Sequence, residues 1–419
     1  MPLLSRAPGG PIDFNGRLAS GPGIGDRLGE ARWTSLTTAY WLRRYGFAPT
    51  IVERAPFFVT GGYKIDVRGT ALDVLRRMGA HDAVVASSTQ MQGALLVDRE
   101  GNVINRMTGD EFGHRVGGHL EIVRGKLFEI LMARTAGVDV IFGHAIASIA
   151  QSCDGVEVTF RNGDARMFDL VIGADGLHSN VRRQIFGDES QYLRDLGMYL
   201  CVYSVPNFLH LDRMEVQYSE IGRVAAIWST RDAVDAKACF GFAARNQQID
   251  LRDRAQQEET LRTVYADVGW EVPRLLELMP EAPDWYFDIA AQIDMATWAR
   301  DRVILVGDAA YCASPMSGQG SSLALIGAYV LAGELAAAGG DHAAAFGEYD
   351  REMRPFIAVN QALGIQSAQF MTQDPATAPV ELSGSEIESV IDHSTDRIAD
   401  AANAITLKNY LAIIPKPTG

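Results

Sequence analysis

The stretch 302–322 constrains the fold of this chain more than any other part of the sequence. Residues 303–306 form a short apolar run with two valines and an isoleucine, which predicts a strand buried on both faces. Gly307 and Asp308 follow directly, so a carboxylate stands at the carboxyl end of a central strand. Open α/β sheets bind their ligands at that edge. The sequence therefore predicts an α/β fold with a ligand beside Asp308.

The second half of the same stretch predicts a site for an anion. A loop with Pro315, Gly318 and Gly320 leads into a long helix of small and apolar residues. Backbone amides at a glycine-rich helix start approach an anion closely, and the helix dipole favours negative charge there. Asp308 is better suited to accept hydrogen bonds from sugar-like hydroxyls. A dinucleotide carries both groups; the plainer alternative is that Asp308 only caps the helix.

Two further strand ends carry acids. Glu53, followed by Arg54, ends an apolar segment, and an acid at the end of a second strand can bind the ribose hydroxyls of an adenosine. Asp175 and Gly176 end another apolar run and precede a helix, which again places a turn at the ligand edge of a sheet. We interpret His178, beside this turn, as structural.

The first glycine cluster departs from the expected spacing. Gly21–Gly25 resembles a dinucleotide-binding turn, but its third glycine falls one place early and no buried strand precedes it. Glu53 lies 28 positions after Gly25, whereas the dinucleotide fingerprint places the acid about 20 residues on. Either the loop carries an insertion, or the first strand and turn are not natively encoded in this chain.

A third group of candidates lies between these motifs. Gly61 and Gly62 precede a polar strand with Asp66 and Arg68, a pattern that suits a loop laid against a ligand. Arg124 stands at the start of an amphipathic helix. The alternatives are a surface ion pair for Asp66 and Arg68, and a solvated charge for Arg124.

Together these motifs resemble the FAD-dependent monooxygenases of the aromatic-hydroxylase, p-hydroxybenzoate hydroxylase-like family. Within it, the chain most resembles bacterial enzymes that modify polyketides and other polycyclic compounds such as tetracyclines. Tyr311 stands where the family commonly has a histidine. The resemblance implies FAD as cofactor, held by Glu53, Arg54, Gly62, Asp66, Arg68, Arg124, Asp175, Gly176, Asp308, Pro315, Gly318 and Gly320.

The resemblance also implies the reaction. NADPH or NADH binds transiently and reduces the flavin, O₂ adds at flavin C4a to give a hydroperoxide, and one oxygen atom passes to an aromatic or polycyclic small molecule. The chemistry belongs to the cofactor, so we expect no catalytic side chain. Two alternatives stay open: a related flavin oxidoreductase or halogenase, whose Trp-x-Trp-x-Ile-Pro signature is absent, and a chain that keeps the fold but binds FAD poorly and does not catalyse.

The predicted architecture is a Rossmann-like FAD-binding domain with an inserted antiparallel-sheet substrate domain and a C-terminal helix. Four strand aromatics in the inserted sheet are candidates for a substrate pocket, although strand aromatics commonly belong to the core; they are Tyr218, Trp228, Phe240 and Phe242. We assign the FAD domain to 1–75, 103–184 and 290–371, the substrate domain to 76–102 and 185–289, and the final helix to 385–411.

Composition narrows the partners. The formal net charge of −14 disfavours nucleic acid and anionic membranes. We expect no membrane-spanning run and no signal peptide, and hence a cytoplasmic protein. Four scattered cysteines without ligand spacing predict no metal site. The expected partners are the small-molecule substrate and O₂, in a monomer or homodimer.

Overall fold

The computed structural model describes residues 1–5, 31–56, 62–231, 233–244, 248–373 and 394–413. The displaced glycine cluster Gly21–Gly25 lies outside the described residues, as do Gly61 and the beginning of the predicted C-terminal helix.

Strands and helices are numbered in chain order. The described strands are β1 Pro2–Ser5, β2 Ala48–Val52, β3 Lys64–Val67, β4 Gly93–Val97, β5 Val103–Thr108, β6 Leu120–Val123, β7 Asp139–Ile141, β8 Ile146–Gln151, β9 Val156–Phe160, β10 Ala165–Phe168, β11 Leu170–Gly173, β12 Leu193–Pro206, β13 Met214–Glu220, β14 Arg223–Ser229, β15 Asp235–Ala243, β16 Tyr286–Ile293, β17 Ala299–Arg300 and β18 Val303–Leu305. The described α-helices are α1 Ala31–Arg44, α2 Ala71–Met78, α3 His81–Ala86, α4 Gly109–Phe112, α5 Arg124–Arg134, α6 Asn180–Ile185, α7 Arg254–Val264, α8 Val272–Leu278, α9 Asp308–Tyr311, α10 Gly320–Ala337, α11 His342–Met371, α12 over 394–402 and α13 Tyr410–Ile413.

A six-stranded sheet in the order β17-β18-β11-β1-β2-β7 forms the centre of the cofactor-type fold. β11 pairs with β18 in parallel, and β2 pairs with β7 in parallel. Since β1 runs antiparallel to both β11 and β2, all four of these strands point the same way. Their carboxyl ends share one edge, which brings Glu53, Asp175 and Asp308 to the same side of the sheet. The predicted α/β class is confirmed.

β1 departs from this arrangement. It lies between β11 and β2 but runs antiparallel to both, with Pro2 opposite Ile51 and Ser5 opposite Ala48. β1 therefore begins at the edge where Glu53 lies and ends at the opposite edge. A parallel strand–helix–strand unit needs the chain to leave its first strand at the carboxyl edge. Consequently β1, α1 and β2 do not form such a unit. The sequence did not predict β1.

α10 is the central helix of this part of the molecule. Nearly every residue from Ser321 to Ala336 is buried, which explains why the helix is apolar on all sides. By length and composition alone α10 is long and apolar enough to cross a membrane, so the expectation that the sequence contains no such run is wrong. Since 89% of it is buried inside the fold, it has the character of a core helix.

A seven-stranded sheet in the order β16-β12-β15-β14-β13-β4-β5 forms the second large layer. It is antiparallel except for the pair β13–β4. One face carries Tyr203, Phe240 and Phe242 and packs under α7 and α8; we call it the helix-covered face. Because neighbouring strand residues point to opposite sides, Glu215, Trp228 and Asp288 lie on the other face, which we call the polar face.

Two smaller sheets complete the fold, a ribbon of β3 with β6 and a sheet in the order β10-β9-β8. At the C-terminal end, the single helix predicted over 385–411 is wrong in its described part, because residues 403–409 are not helical and separate α12 from α13. The Tyr410 hydroxyl donates to Glu334 Oε1 at 2.7 Å, which fastens α13 to α10.

Candidate cofactor and substrate site

The loop after β18 brings Asp308 to the carboxyl edge of the six-stranded sheet. Gly307 has φ +66°, and a Cβ at this position would lie 2.9 Å from Thr34 Oγ1. Both the left-handed backbone and the close approach of α1 require glycine here. Asp308 begins the short helix α9 and is half-buried. The predicted turn between strand and helix is therefore present, with its carboxylate at the ligand edge.

The glycine-rich loop ends at the start of α10, as predicted. Pro315 opens a 3₁₀ turn, Gly318 adopts φ +61°, and α10 begins at Gly320. The first turn of α10 contains no acidic residue, so its amide groups and the helix dipole favour an anion. Gln319, fully buried before this turn, donates through Nε2 to the carbonyl of Ile398 at 3.2 Å.

Arg68 is buried and Asp66 is half-buried beside the same helix, so the alternative of a surface ion pair is wrong. Arg68 is 4% exposed, and its guanidinium lies 2.8 Å from the Asp66 carboxylate. The Arg68 backbone amide donates to Ser322 Oγ at 2.9 Å, and its guanidinium donates to the carbonyls of Gly113 and His114. Burial raises the pKa of Asp66, against the opposing charge of Arg68. The predicted Asp66–Arg68 motif thus meets the glycine-rich start of α10.

Arg124 is also buried, so the alternative of a solvated charge is wrong. Its guanidinium carbon lies 5.0 Å from the centre of the Trp33 ring on one side and 5.7 Å from that of Tyr63. A Cβ at Gly62, which has φ +114°, would stand 3.2 Å from Arg124 Cδ. The Tyr63 ring in turn lies 5.3 Å from Tyr286 of β16. These rings connect Arg124 to the seven-stranded sheet.

The two remaining strand ends differ in what their acids do. Glu53 is half-buried after β2 and accepts from the Ala55 amide at 2.9 Å, while Arg54 is exposed. Asp175 accepts from the backbone amides of Asn180 and Val181 at 2.7 and 3.1 Å, so it caps the start of α6. The preceding turn requires φ +81° at Gly176. Asp175 therefore positions a turn within its own loop.

Sequence reasoning missed a buried ionic cluster beneath the polar face. Lys64 Nζ lies 2.6 Å from Glu215 Oε2 and 3.2 Å from Glu121 Oε2, and Arg115 approaches the same Glu121 oxygen at 3.1 Å. Burial alone lowers the pKa of Lys64, but the two carboxylates outweigh burial and raise it. Burial raises the pKa of Glu215. Since β3, β6 and β13 are distant in sequence, no local motif predicts this cluster.

A second charged cluster joins the turn after β11 to the polar face. His178 Nδ1 lies 2.8 Å from Glu189 Oε1, and Nε2 lies 3.1 Å from Asp288 Oδ1. Arg182, fully buried, donates to the other oxygen of Glu189 at 2.6 Å. Burial by itself lowers the pKa of His178, but the hydrogen bonds to Asp288 and Glu189 raise it to about 9. The interpretation of His178 as structural is consistent with these contacts.

Of the four predicted pocket aromatics, Trp228 alone lies on the polar face. Its ring lies 5.5 Å from Lys64 Nζ. The prediction is wrong for Phe240 and Phe242, which are fully buried on the helix-covered face, where Phe240 packs edge-on against Tyr265 at 4.9 Å. It is also wrong for Tyr218, which belongs to the same apolar cluster. Strand alternation puts these three on the side away from the cofactor motifs.

The polar atoms on the α10 side of this site fit a bound FAD. Asp66 Oδ1, Arg68 Nε and Gln319 Oε1 are buried and have no hydrogen-bond partner among the described residues. Each such atom costs about 1–3 kcal/mol when unsatisfied, and a ligand rich in donors and acceptors would relieve that cost. On the opposite side of the site, the first turn of α1 presents the bulky side chains of Trp33 and Thr34 to Arg124 and Gly307.

Comparison with known proteins agrees with this geometry. A family model described as "FAD binding domain" matches residues 34–361. A flavin-dependent monooxygenase from an unknown prokaryotic organism is 44% identical over 340 residues, covering 81% of this chain and 88% of the relative. One from Legionella longbeachae serogroup 1 (strain NSW150) is 39% identical over 372 residues, covering 88% and 94%.

A solved structure extends the likeness to three dimensions. The crystal structure of tetracycline destructase Tet(55) superposes with a TM-score of 0.83 at 39% identity, covering 91% of this chain and 97% of that one. The matched family, the relatives and the strand-end motifs agree, and the chain belongs to the FAD-binding-domain family of FAD-dependent monooxygenases.

Proposed function

We propose that this chain uses FAD and a nicotinamide, NADPH or NADH, to insert one atom of O₂ into an aromatic or polycyclic small molecule of the tetracycline type. The observation that carries this proposal is the hydrogen bond from the Arg68 backbone amide to Ser322 Oγ at the start of α10. It joins two motifs 254 residues apart at one edge of the sheet. The similarity to tetracycline destructase Tet(55) supports the substrate class.

The cofactor-binding residues are assigned from this edge. Asp308 accepts from hydroxyls of the cofactor, and the start of α10 stabilises negative charge on it. FAD, when bound, supplies the redox chemistry and the activation of O₂. The remaining contacts are assigned to Glu53, Arg54, Gly62, Asp66, Arg68, Arg124, Asp175, Gly176, Pro315, Gly318 and Gly320.

The substrate is assigned to the polar face of the seven-stranded sheet. Trp228 offers an aromatic surface there, and Tyr286 links that face through Tyr63 to Arg124. The sheet excludes water from one side of the reacting ring, as such chemistry requires. The FAD-binding domain then comprises 1–75, 103–184 and 290–371, and the substrate domain 76–102 and 185–289. We further propose a cytoplasmic monomer or homodimer.

The first test is the flavin spectrum and its coupling to substrate. The purified full chain is titrated with FAD and, at saturating FAD, supplied with NADPH or NADH in the presence of a tetracycline or a simple phenol. Saturable FAD binding and substrate-dependent nicotinamide oxidation are expected, with a product heavier by the mass of one oxygen atom. A folded chain that binds no flavin at any FAD concentration would contradict the proposal.

The role of Asp308 has its own test. Asp308→Ala removes a charged hydrogen-bond acceptor worth about 1.5–3 kcal/mol, so the Kd for FAD is expected to rise about 10- to 100-fold. Asp341→Ala is the matched control, because Asp341 caps the start of α11 and lies outside the assigned site. An unchanged Kd in Asp308→Ala would remove Asp308 from the cofactor site.

A further inference from the structure

The opening turn of α1 contacts two of the proposed cofactor-binding elements. Trp33, 1% exposed, covers one side of the Arg124 guanidinium, with Tyr63 5.7 Å from the same carbon. The next residue, Thr34, fills the space in front of Gly307, where a Cβ would stand 2.9 Å from its hydroxyl. Two consecutive side chains of one helix turn thus lie against Arg124 and against the glycine before Asp308.

This turn would otherwise be suited to a phosphate. α1 has 14 residues and no acid in its first turn, so its N-terminus carries the positive end of a helix dipole. Glycines at such a turn let the backbone approach a pyrophosphate closely, whereas an indole and a β-branched residue hold the ligand away. The family match begins at residue 34, which leaves Trp33 outside the matched region.

The indole N–H of Trp33 is also buried and left without a hydrogen-bond acceptor among the described residues. A buried tryptophan normally finds a partner for this group. Trp33 therefore fills the space in front of Arg124, and none of the described residues gives its Nε1 the hydrogen bond that a buried indole normally makes.

We propose that Trp33 is a plug: its indole packs against the guanidinium of Arg124, a residue that we assign to the cofactor, and it weakens FAD binding until the first turn of α1 is displaced. This inference rests on the proposed function, since it takes Arg124 as a cofactor contact. It identifies residue 33 as a position that limits cofactor affinity in this chain.

The test measures FAD affinity by quenching of flavin fluorescence in the wild-type chain and in Trp33→Ala. A Kd at least tenfold lower in the variant is expected. Trp33→Leu keeps an apolar side chain of smaller volume and should lower the Kd in the same direction if Trp33→Ala proves unstable. Far-ultraviolet circular dichroism checks that each protein is folded.

Trp41→Ala is the matched control. Trp41 lies on the same helix, is equally buried, and also has an unpartnered Nε1, but its ring packs on Tyr329 at 4.8 Å instead of on Arg124. Its FAD affinity should equal that of the wild type. The double variant Trp33→Ala/Asp308→Ala should lose the gained affinity, which locates the bound flavin at the assigned motif.

The outcomes separate the two proposals. If the wild type already binds FAD tightly and neither Trp33 variant binds more tightly, the plug is refuted and the proposed function stands. If the folded wild type and both folded Trp33 variants all fail to bind FAD, the plug and the proposed function are refuted together. If Trp41→Ala raises affinity as much as Trp33→Ala, loosening of α1 is responsible and the plug is refuted.

Discussion

The two faces of the seven-stranded sheet are built from the same strands yet have opposite chemistry. On the helix-covered face, Tyr203, Phe240 and Phe242 pack against α7 and α8 in one apolar cluster. On the polar face, Glu215 forms an ion pair with Lys64, and Asp288 forms one with His178. Lys64 and His178 both belong to the part of the chain that we assign to the cofactor. The comparison teaches that one face packs into an apolar core, whereas the other face makes ion pairs with the residues around the cofactor motifs and is the face to which we assign the substrate.

The largest effect is expected on the helix-covered face. Phe240→Ala removes a fully buried ring that contacts Tyr203 and Tyr265, and such truncations cost about 3–5 kcal/mol of unfolding free energy. The variant should unfold at a clearly lower urea concentration. Where it remains folded, its affinity for substrate should be unchanged. Lower substrate affinity with unchanged stability would return Phe240 to the pocket and break the comparison.

A somewhat smaller loss is expected from Lys64→Met beneath the polar face. It leaves Glu215 without its cation and Glu121 with Arg115 alone. Breaking a buried pair costs about 3–5 kcal/mol when a charge is left unpaired, but Glu215 can take up a proton because its pKa is already raised by burial. We therefore expect a loss of about 2–4 kcal/mol in urea unfolding.

The sign of the pH dependence distinguishes this mechanism. In Lys64→Met the folded-state pKa of Glu215 should exceed its unfolded value, so the associated stability is present at low pH and is lost as pH rises. The deficit relative to wild type should be smaller at pH 5 than at pH 8. Lys64→Met/Glu215→Gln should recover part of the loss. A deficit independent of pH, with no recovery in the double variant, would point to lost packing instead.

Much of this fold followed from local patterns in the sequence. The apolar run at 303–306 with Gly307 and Asp308 predicted a buried strand and a turn, because an apolar run ending in Gly-Asp is a local signal. Period-two alternation similarly predicted the large sheet. The resemblance predicted that Asp66 and Arg68 lie near the cofactor, and in the structure Arg68 is buried and Asp66 half-buried beside α10.

What could not be predicted depends on contacts between distant segments. Strand alternation shows that Trp228 and Ile227 point to opposite faces of the sheet, but it does not show which face α7 and α8 cover. Three of the four aromatics were therefore assigned to the wrong face. Lys64, Glu121 and Glu215 meet only in three dimensions. The antiparallel direction of β1 is likewise set by its partners, since four residues carry no directional signal.

His178→Gln should produce a smaller, pH-dependent loss. In the folded chain the pKa of His178 is about 9, against an ordinary value of 6.5. The stability from its charged contacts is therefore fully present below pH 6.5 and is lost as pH rises through 9. At about 1.4 kcal/mol for each pKa unit, the difference between 6.5 and 9 corresponds to at most about 3.5 kcal/mol, and solvent screening of this half-buried side chain reduces the expected loss to about 2–3 kcal/mol.

Urea unfolding from pH 6 to pH 9.5 measures this loss. Wild type and His178→Gln should differ most at pH 6 and converge above pH 9. His342→Gln is the control, because burial and the charge of Arg302 lower the pKa of His342, so its ring should carry no charge across this range. A constant difference across this range would mean that His178 acts by shape and not by charge.

The smallest effect concerns substrate recognition on the polar face. Trp228→Phe keeps an aromatic ring but removes part of the surface that we assign to the substrate, and aromatic contacts worth about 0.5–1.5 kcal/mol change affinity about 3- to 10-fold. KM for the substrate should rise by that factor while kcat and the urea midpoint stay close to wild type. Trp285→Phe is the matched control, since Trp285 stacks on Tyr203 on the helix-covered face at 5.4 Å. If the two substitutions change KM equally, the polar face has no special role in binding. The Trp228 indole on the polar face would then contribute no more to substrate affinity than the Trp285 indole on the helix-covered face.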